Sequence, residues 1–217
     1  MIMLTREADH ARALSLILMR YQCTSPRVKC LRRRHTMVVT HTHKEHPGVM
    51  FVSFRGTIKT SPSDVFHNLK PGVKNEMGMR IFSGLVDYFN HIKPLLDIIL
   101  KLRYKKIYLS GFSLGGAMAI LSSIYVKQKR PKLFVGLVTQ SAITPGKGVK
   151  EKMKILDYVY HEGIYFDPAV KLFNTVRRGN RLTLNRTLPG WGHSILRREI
   201  ENGNANARKR YLSKVMG

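Results

Sequence analysis

The segment Gly111-Phe112-Ser113-Leu114-Gly115 has the G-x-S-x-G spacing that lets a serine act as a nucleophile. Lys106–Ser110 before it reads as a short strand. Leu114–Lys129 after it reads as a helix, ended by Pro131. A serine at such a junction is held on a sharp, strained turn, and only glycine fits at the flanking positions. The helix that follows aims its free N–H groups at any negative charge forming beside the serine hydroxyl. Ser113 is therefore the expected nucleophile, and the Leu114 N–H the expected first oxyanion donor.

A second donor is expected from a loop after an earlier strand. Phe51-Val-Ser-Phe-Arg-Gly-Thr57 ends a strand-like run in Arg-Gly-Thr, so Thr57 can offer its backbone N–H and its hydroxyl. On this kind of scaffold the remaining groups follow the serine in the order acid, then histidine. Only His161 and His193 lie beyond Ser113, and the carboxylates before His193 are Glu151, Asp157, Glu162 and Asp167. Lys154–Tyr160 reads as a strand, which puts Asp157 inside it. His161 abuts its end, where packing or solvent would occupy it. Asp167 follows on a loop and precedes Pro168, with Glu162 as the alternative acid. His193, in Pro189-Gly-Trp-Gly-His-Ser, precedes a last expected helix, a place suited to a base delivered late in the chain.

The chain resembles the class 3 lipases, the fungal triacylglycerol lipase type. The segments carrying the resemblance are FVSFRGT, MRIFSGLVDYF, KKIYLSGFSLGGAMAIL, TQSAITPG, FDPAV and GWGHSI, in the family's order over about residues 49–200. The resemblance implies an α/β-hydrolase fold and hydrolysis of lipid esters without metal or cofactor. It places the nucleophile at Ser113, the acid at Asp167, the base at His193 and the oxyanion hole at Thr57 and Leu114. Phe82 and Phe112 stand where the family usually has histidine, and neither is a triad position. The resemblance also implies that the N-terminal part and lid of larger members are reduced here.

The elements that must position these groups are legible in outline. Residues 2–20 read as an amphipathic helix, followed by the basic stretch Arg27–Arg34. Thr36–Thr40 and Val49–Phe54 read as a hairpin around His46-Pro47-Gly48. Residues 56–78 read as a turn-rich loop, with Val65, Phe66 and Leu69 available for a small lid. From Met79, apolar residues at Ile81, Phe82, Leu85, Phe89, Ile92, Leu96 and Ile99 mark a helix that Pro94 should kink or divide. Leu133–Val138 reads as a further strand and Pro168–Val176 as a short helix. Strands alternating with helices imply a mixed, mostly parallel sheet covered on both faces. One α/β-hydrolase domain over residues 1–217 is expected, with a loose basic tail at 203–217.

Composition bounds the rest. Two cysteines, Cys23 and Cys30, make no disulfide scaffold and read as reduced thiols. No apolar run is long enough to span a membrane, and Ala13–Met19, preceded by Glu7 and Asp9, makes a poor signal peptide. An intracellular or membrane-peripheral location is the expectation. Against 13 acidic residues stand 38 Lys and Arg, a formal charge of +25. Such a field attracts polyanions. An anionic membrane or substrate interface is favoured over nucleic acid, because the basic runs lack interleaved aromatics. Two alternatives accompany the acylglycerol lipase reading: a phospholipase A1-type activity on anionic phospholipid, and a catalytically silent, basic lipase-like binding protein. His41, His43 and His46, beside Glu45, have spacing compatible with a metal, but solvated histidines at a hairpin tip are the plainer expectation.

Overall fold

The computed structural model describes residues 6–17, 28–33, 36–56, 72–163 and 183–184. In chain order these give α1 (Arg6–Ile17), β1 (Val28–Arg33), β2 (Thr36–Thr42), β3 (Val49–Phe54), β4 (Val73–Glu76), β5 (Met79–Phe82) and α2 (Ser83–Leu100). They continue with β6 (Lys106–Phe112), α3 (Leu114–Lys129), β7 (Phe134–Gln140), β8 (Gly146–Lys147), α4 (Val149–Met153), β9 (Tyr158–Gly163) and β10 (Thr183–Leu184). A seven-stranded sheet has the order β1-β2-β3-β6-β7-β9-β10, and a small sheet has the order β4-β5-β8. In the large sheet β1, β2 and β3 pair antiparallel, while β3, β6, β7, β9 and β10 are parallel throughout. The mixed, mostly parallel α/β architecture expected from the sequence is present.

Parallel strands buried on both faces need near-continuous apolar runs. β3 is buried at every residue, and β6 and β7 are buried at all but their first. On one face, α1 lays Ala8, Ala11 and Leu14 against Val39, Val49, Phe51, Tyr108 and Val138. On the other, α2 and α3 cover Val52, Phe54, Ile107, Leu109, Val135 and Leu137. α2 turns one stripe inward, Leu85, Phe89, Ile92, Leu96 and Ile99, at the spacing read from the sequence.

Several expectations need correction. The helical pattern from Met79 starts one turn too early, because Met79–Phe82 pairs with Val73–Glu76 as a strand. Ile81 is buried there by strand alternation, and Phe82 is exposed. Part of the expected loop 56–78 is thus the strand β4. Pro94 neither divides nor ends α2. It lies on the exposed face, as does Asn90, whose carbonyl loses its partner and can turn to water. Lys154–Asp157 precedes β9 rather than opening it, forming the turn between α4 and that strand. Within the basic stretch, Val28–Arg33 form β1, the edge strand among the described residues, and a strand rich in Lys and Arg is a poor template for further pairing. Cys30 is disulfide-bonded, not a free thiol, and the chain's other cysteine is Cys23. The hairpin histidines are not solvated as a group: His41 and His43 are buried, and His46 is half-buried.

Candidate active site

Ser113 joins the end of β6 to the first residue of α3 with φ 54° and ψ −120°. A non-glycine residue in that region is strained, so the surrounding structure must hold it there. Three backbone hydrogen bonds do so. The Ser113 N–H donates to the Gln140 carbonyl at 3.0 Å, at the end of the neighbouring strand β7. The Ser113 carbonyl accepts from Ala117 N–H at 3.2 Å, which begins the helix, and from Ile143 N–H at 3.4 Å. Gln140 is itself braced from the α1 face, where the Ser15 hydroxyl meets its Oε1 at 2.6 Å. This clamp was not singled out in the sequence; the only signal for it was the position of Gln140 within TQSAITPG.

Gly111 and Gly115 are required by backbone atoms, and Gly116 by the Ala142 side chain. A Cβ on Gly111 would lie 2.2 Å from the Gly115 carbonyl oxygen. One on Gly115 would lie 2.1 Å from the Phe54 carbonyl oxygen, and one on Gly116 2.5 Å from the Ala142 Cβ. The N-terminus of α3 therefore rests directly on the chain leaving β3. Gly56 is seated the same way, since a Cβ there would meet the Phe112 carbonyl oxygen at 2.7 Å. The Arg55-Gly56 turn thus runs alongside the elbow and leads straight to Thr57. Leu114 is buried as the first residue of α3, whose opening N–H groups have no carbonyl four residues back to bind. Thr57, Asp167, His193 and the expected lid residues Val65, Phe66 and Leu69 lie outside the described residues.

Topology nevertheless limits where the chain leaves the sheet. β3, β6, β9 and β10 are parallel, so the segments after them depart from one edge, the edge at which open α/β sheets hold their ligands. Ser113 stands at that edge. β9 ends at Gly163, four residues before Asp167, and β10 ends at Leu184, nine before His193. Two rivals are otherwise engaged. Asp157 sits at the opposite edge, before β9, where its Oδ2 accepts from Lys127 Nζ and from Val135 N–H, each at 2.7 Å. His161 is buried within β9 and shares a short hydrogen bond with the Thr139 hydroxyl. Burial pushes its imidazole down to about 4, the neutral form. Of the two sequence alternatives for His161, packing is the one observed.

Residues 51–148 match the family model described as Lipase (class 3), a span from β3 through the elbow to β8. Over this span the chain is similar to the class 3 lipases. The fold agrees. A fungal lipase, solved as an inhibitor complex, superposes with a TM-score of 0.61 at 17% identity, covering 76% of this chain and 73% of that one. The lipase of Rhizopus microsporus var. chinensis gives 0.58 at 16%, over 79% and 72%. The triacylglyceride lipase of Rhizomucor miehei gives 0.58 at 17%, over 75% and 72%. At these identities the likeness is one of fold. No curated protein sequence matches. Within the matched segment lie the two features with the most demanding geometry, the Ser113 elbow and the β3 turn packed on it.

Proposed function

We propose that this chain is a lipase of the class 3 type, hydrolysing lipid carboxylic esters through Ser113, Asp167 and His193. The observation that carries the reading is the backbone of Ser113, strained at φ 54° between a buried parallel strand and a buried helix and held by three hydrogen bonds. A turn with a purely structural role would favour glycine at that φ over serine.

The chemistry follows from the roles. His193 takes the Ser113 proton as the hydroxyl oxygen attacks the ester carbonyl. The carbonyl π pair moves onto oxygen, and the Leu114 and Thr57 N–H groups receive that charge. Asp167 orients the imidazole and stabilises its charged form. When the tetrahedral adduct collapses, the ester C–O bond breaks and His193 returns the proton to the leaving alcohol. Water then attacks the acyl-serine with His193 again as base, releasing the fatty acid and restoring Ser113.

The substrate is an acylglycerol or a related lipid ester. The formal charge of +25 favours an anionic phospholipid surface as the place of action, the phospholipase A1-type alternative. A disulfide at Cys30 favours an oxidising compartment. The test is labelling of the folded protein with a fluorophosphonate probe, followed by rates on triacylglycerol, monoacylglycerol and anionic phospholipid vesicles. A single adduct at Ser113 is expected. Ser113→Ala should lose the label and about a million-fold in turnover. Folded parent protein without adduct or hydrolysis would instead mark a silent binding protein.

A further inference from the structure

At the edge of the sheet opposite Ser113, four imidazoles converge around Phe51. His10 comes from α1, His41 from β2, and His43 and His46 from the turn between β2 and β3. The His10 ring lies 5.0 Å from that of His43 and 5.2 Å from that of His46, and those two are 5.9 Å apart, centroid to centroid. Each of His10, His43 and His46 offers one ring nitrogen, and the three nitrogens lie within 4.8 Å of one another. His10 is 7% exposed, and its Nε2 is buried with no hydrogen-bond partner among the described residues. A buried polar nitrogen left in that state is costly, unlike a purely apolar filling of the same space.

We infer that His10, His43 and His46 bind one divalent transition-metal ion, with zinc as the borderline-soft ion best suited to three neutral imidazoles. Tetrahedral zinc with bonds of about 2.05 Å holds its donors about 3.3 Å apart. The three nitrogens must therefore draw together by up to about 1.5 Å, a movement within reach of side-chain rotation on the turn that carries His43 and His46. Glu45 N–H donates to His43 Nδ1 at 3.3 Å. Loading forfeits that long contact at either nitrogen: Nδ1 ligation uses its lone pair, and Nε2 ligation puts the ring proton on Nδ1. His46, half-buried, leaves the fourth position open to solvent water.

The role is structural. β6 starts level with β3, Lys106 pairing with Val49 beside the histidine turn, and ends next to Ser113. Phe51, against which His10 and His46 pack, pairs with Tyr108, five residues before Ser113, so at about 3.3 Å per residue the cluster lies roughly 16 Å or more along the strand from the serine. What the ion joins is α1 to the β2–β3 hairpin. The same helix covers Val49, Phe51 and Tyr108 and braces Gln140.

The test uses untagged full-length protein, stripped with a strong chelator and titrated with Zn²⁺. One equivalent should bind. At a hundredfold excess over its Kd the melting temperature should rise by roughly 5–10 °C. Co²⁺ in its place should give the visible bands of a tetrahedral nitrogen site. His46→Gln, altered at a half-buried position that the fold tolerates, and His10→Gln should each lose the equivalent, the bands and the thermal gain. Parent protein that binds no stoichiometric zinc while folded would overturn the inference. So would His10→Gln and His46→Gln variants that bind it as tightly as the parent.

Discussion

Adding one methyl group at Gly115 tests whether the elbow and the β3 turn form one catalytic unit. In Gly115→Ala the new Cβ would fall 2.1 Å from the Phe54 carbonyl oxygen and 2.8 Å from the carbonyl carbons of Phe54 and Arg55. All three are backbone atoms, so no side chain can swing aside. Restoring even a tight contact near 3.0 Å requires β3 and the start of α3 to separate by roughly 1 Å. Overpacking of this kind costs about 1–3 kcal/mol. A 1 Å error between the Leu114 N–H and the segment carrying Thr57 should cost about a hundredfold in turnover, or about 2.7 kcal/mol of transition-state stabilisation. Gly148→Ala is the control. Its Cβ meets nothing nearer than 3.8 Å, but φ is +83°, so it costs about 1–2 kcal/mol through backbone strain alone. The assay pairs urea midpoints at constant slope with kcat/KM on a soluble short-chain ester, normalised to probe-reactive enzyme. Both variants should lose stability, and only Gly115→Ala should lose turnover. If Gly115→Ala turns over within threefold of the parent per reactive serine, or if Gly148→Ala falls as far, the coupled oxyanion hole is wrong.

Two further results are expected. His193→Ala should approach the loss seen for Ser113→Ala, and Asp167→Asn should lose about 10⁴ in kcat, with Glu162→Gln close to the parent. The reverse order for the two acids, read in the same kinetic assay, would move the triad acid to Glu162. His161, with an ordinary value near 6.5, is held neutral in the fold down to about 4. Below pH 6.5 the unfolded chain binds a proton there and the folded chain does not. The stability His161 contributes is therefore complete above pH 6.5 and is lost as pH falls toward 4. Urea midpoints over this range should decline less in His161→Gln than in the parent. Equal slopes would show that His161 titrates alike in both states.

The turn at Ser113 is legible because a strand-to-helix elbow is a local object. The positions of Gly111, Ser113 and Gly115 are set by contacts among five consecutive residues and the adjoining β3 backbone, so their identities write the geometry directly into the chain. The parallel strands were legible for a similar reason: burial on both faces demands apolar runs such as those of β6 and β7. The helix start at Met79 was misread because an apolar pattern of a few residues fits either period, and only pairing with Val73–Glu76 makes Met79–Phe82 a strand. Pro94 does not divide α2, because its effect depends on which face it occupies, and that face is set by the sheet beneath the helix.

By itself, the sequence determined the strand-to-helix turn at Ser113, the glycines that surround it, the order of the acid and base candidates and the mixed α/β class. Each follows from short-range sterics or from the periodicity of burial. Only the tertiary structure revealed that Gln140 holds the elbow from the next strand. Only it brought His10 across from α1 to meet His43 and His46. Those groupings join residues many positions apart in sequence, and they exist because one helix packs across three parallel strands, a relation that no local pattern of residues encodes.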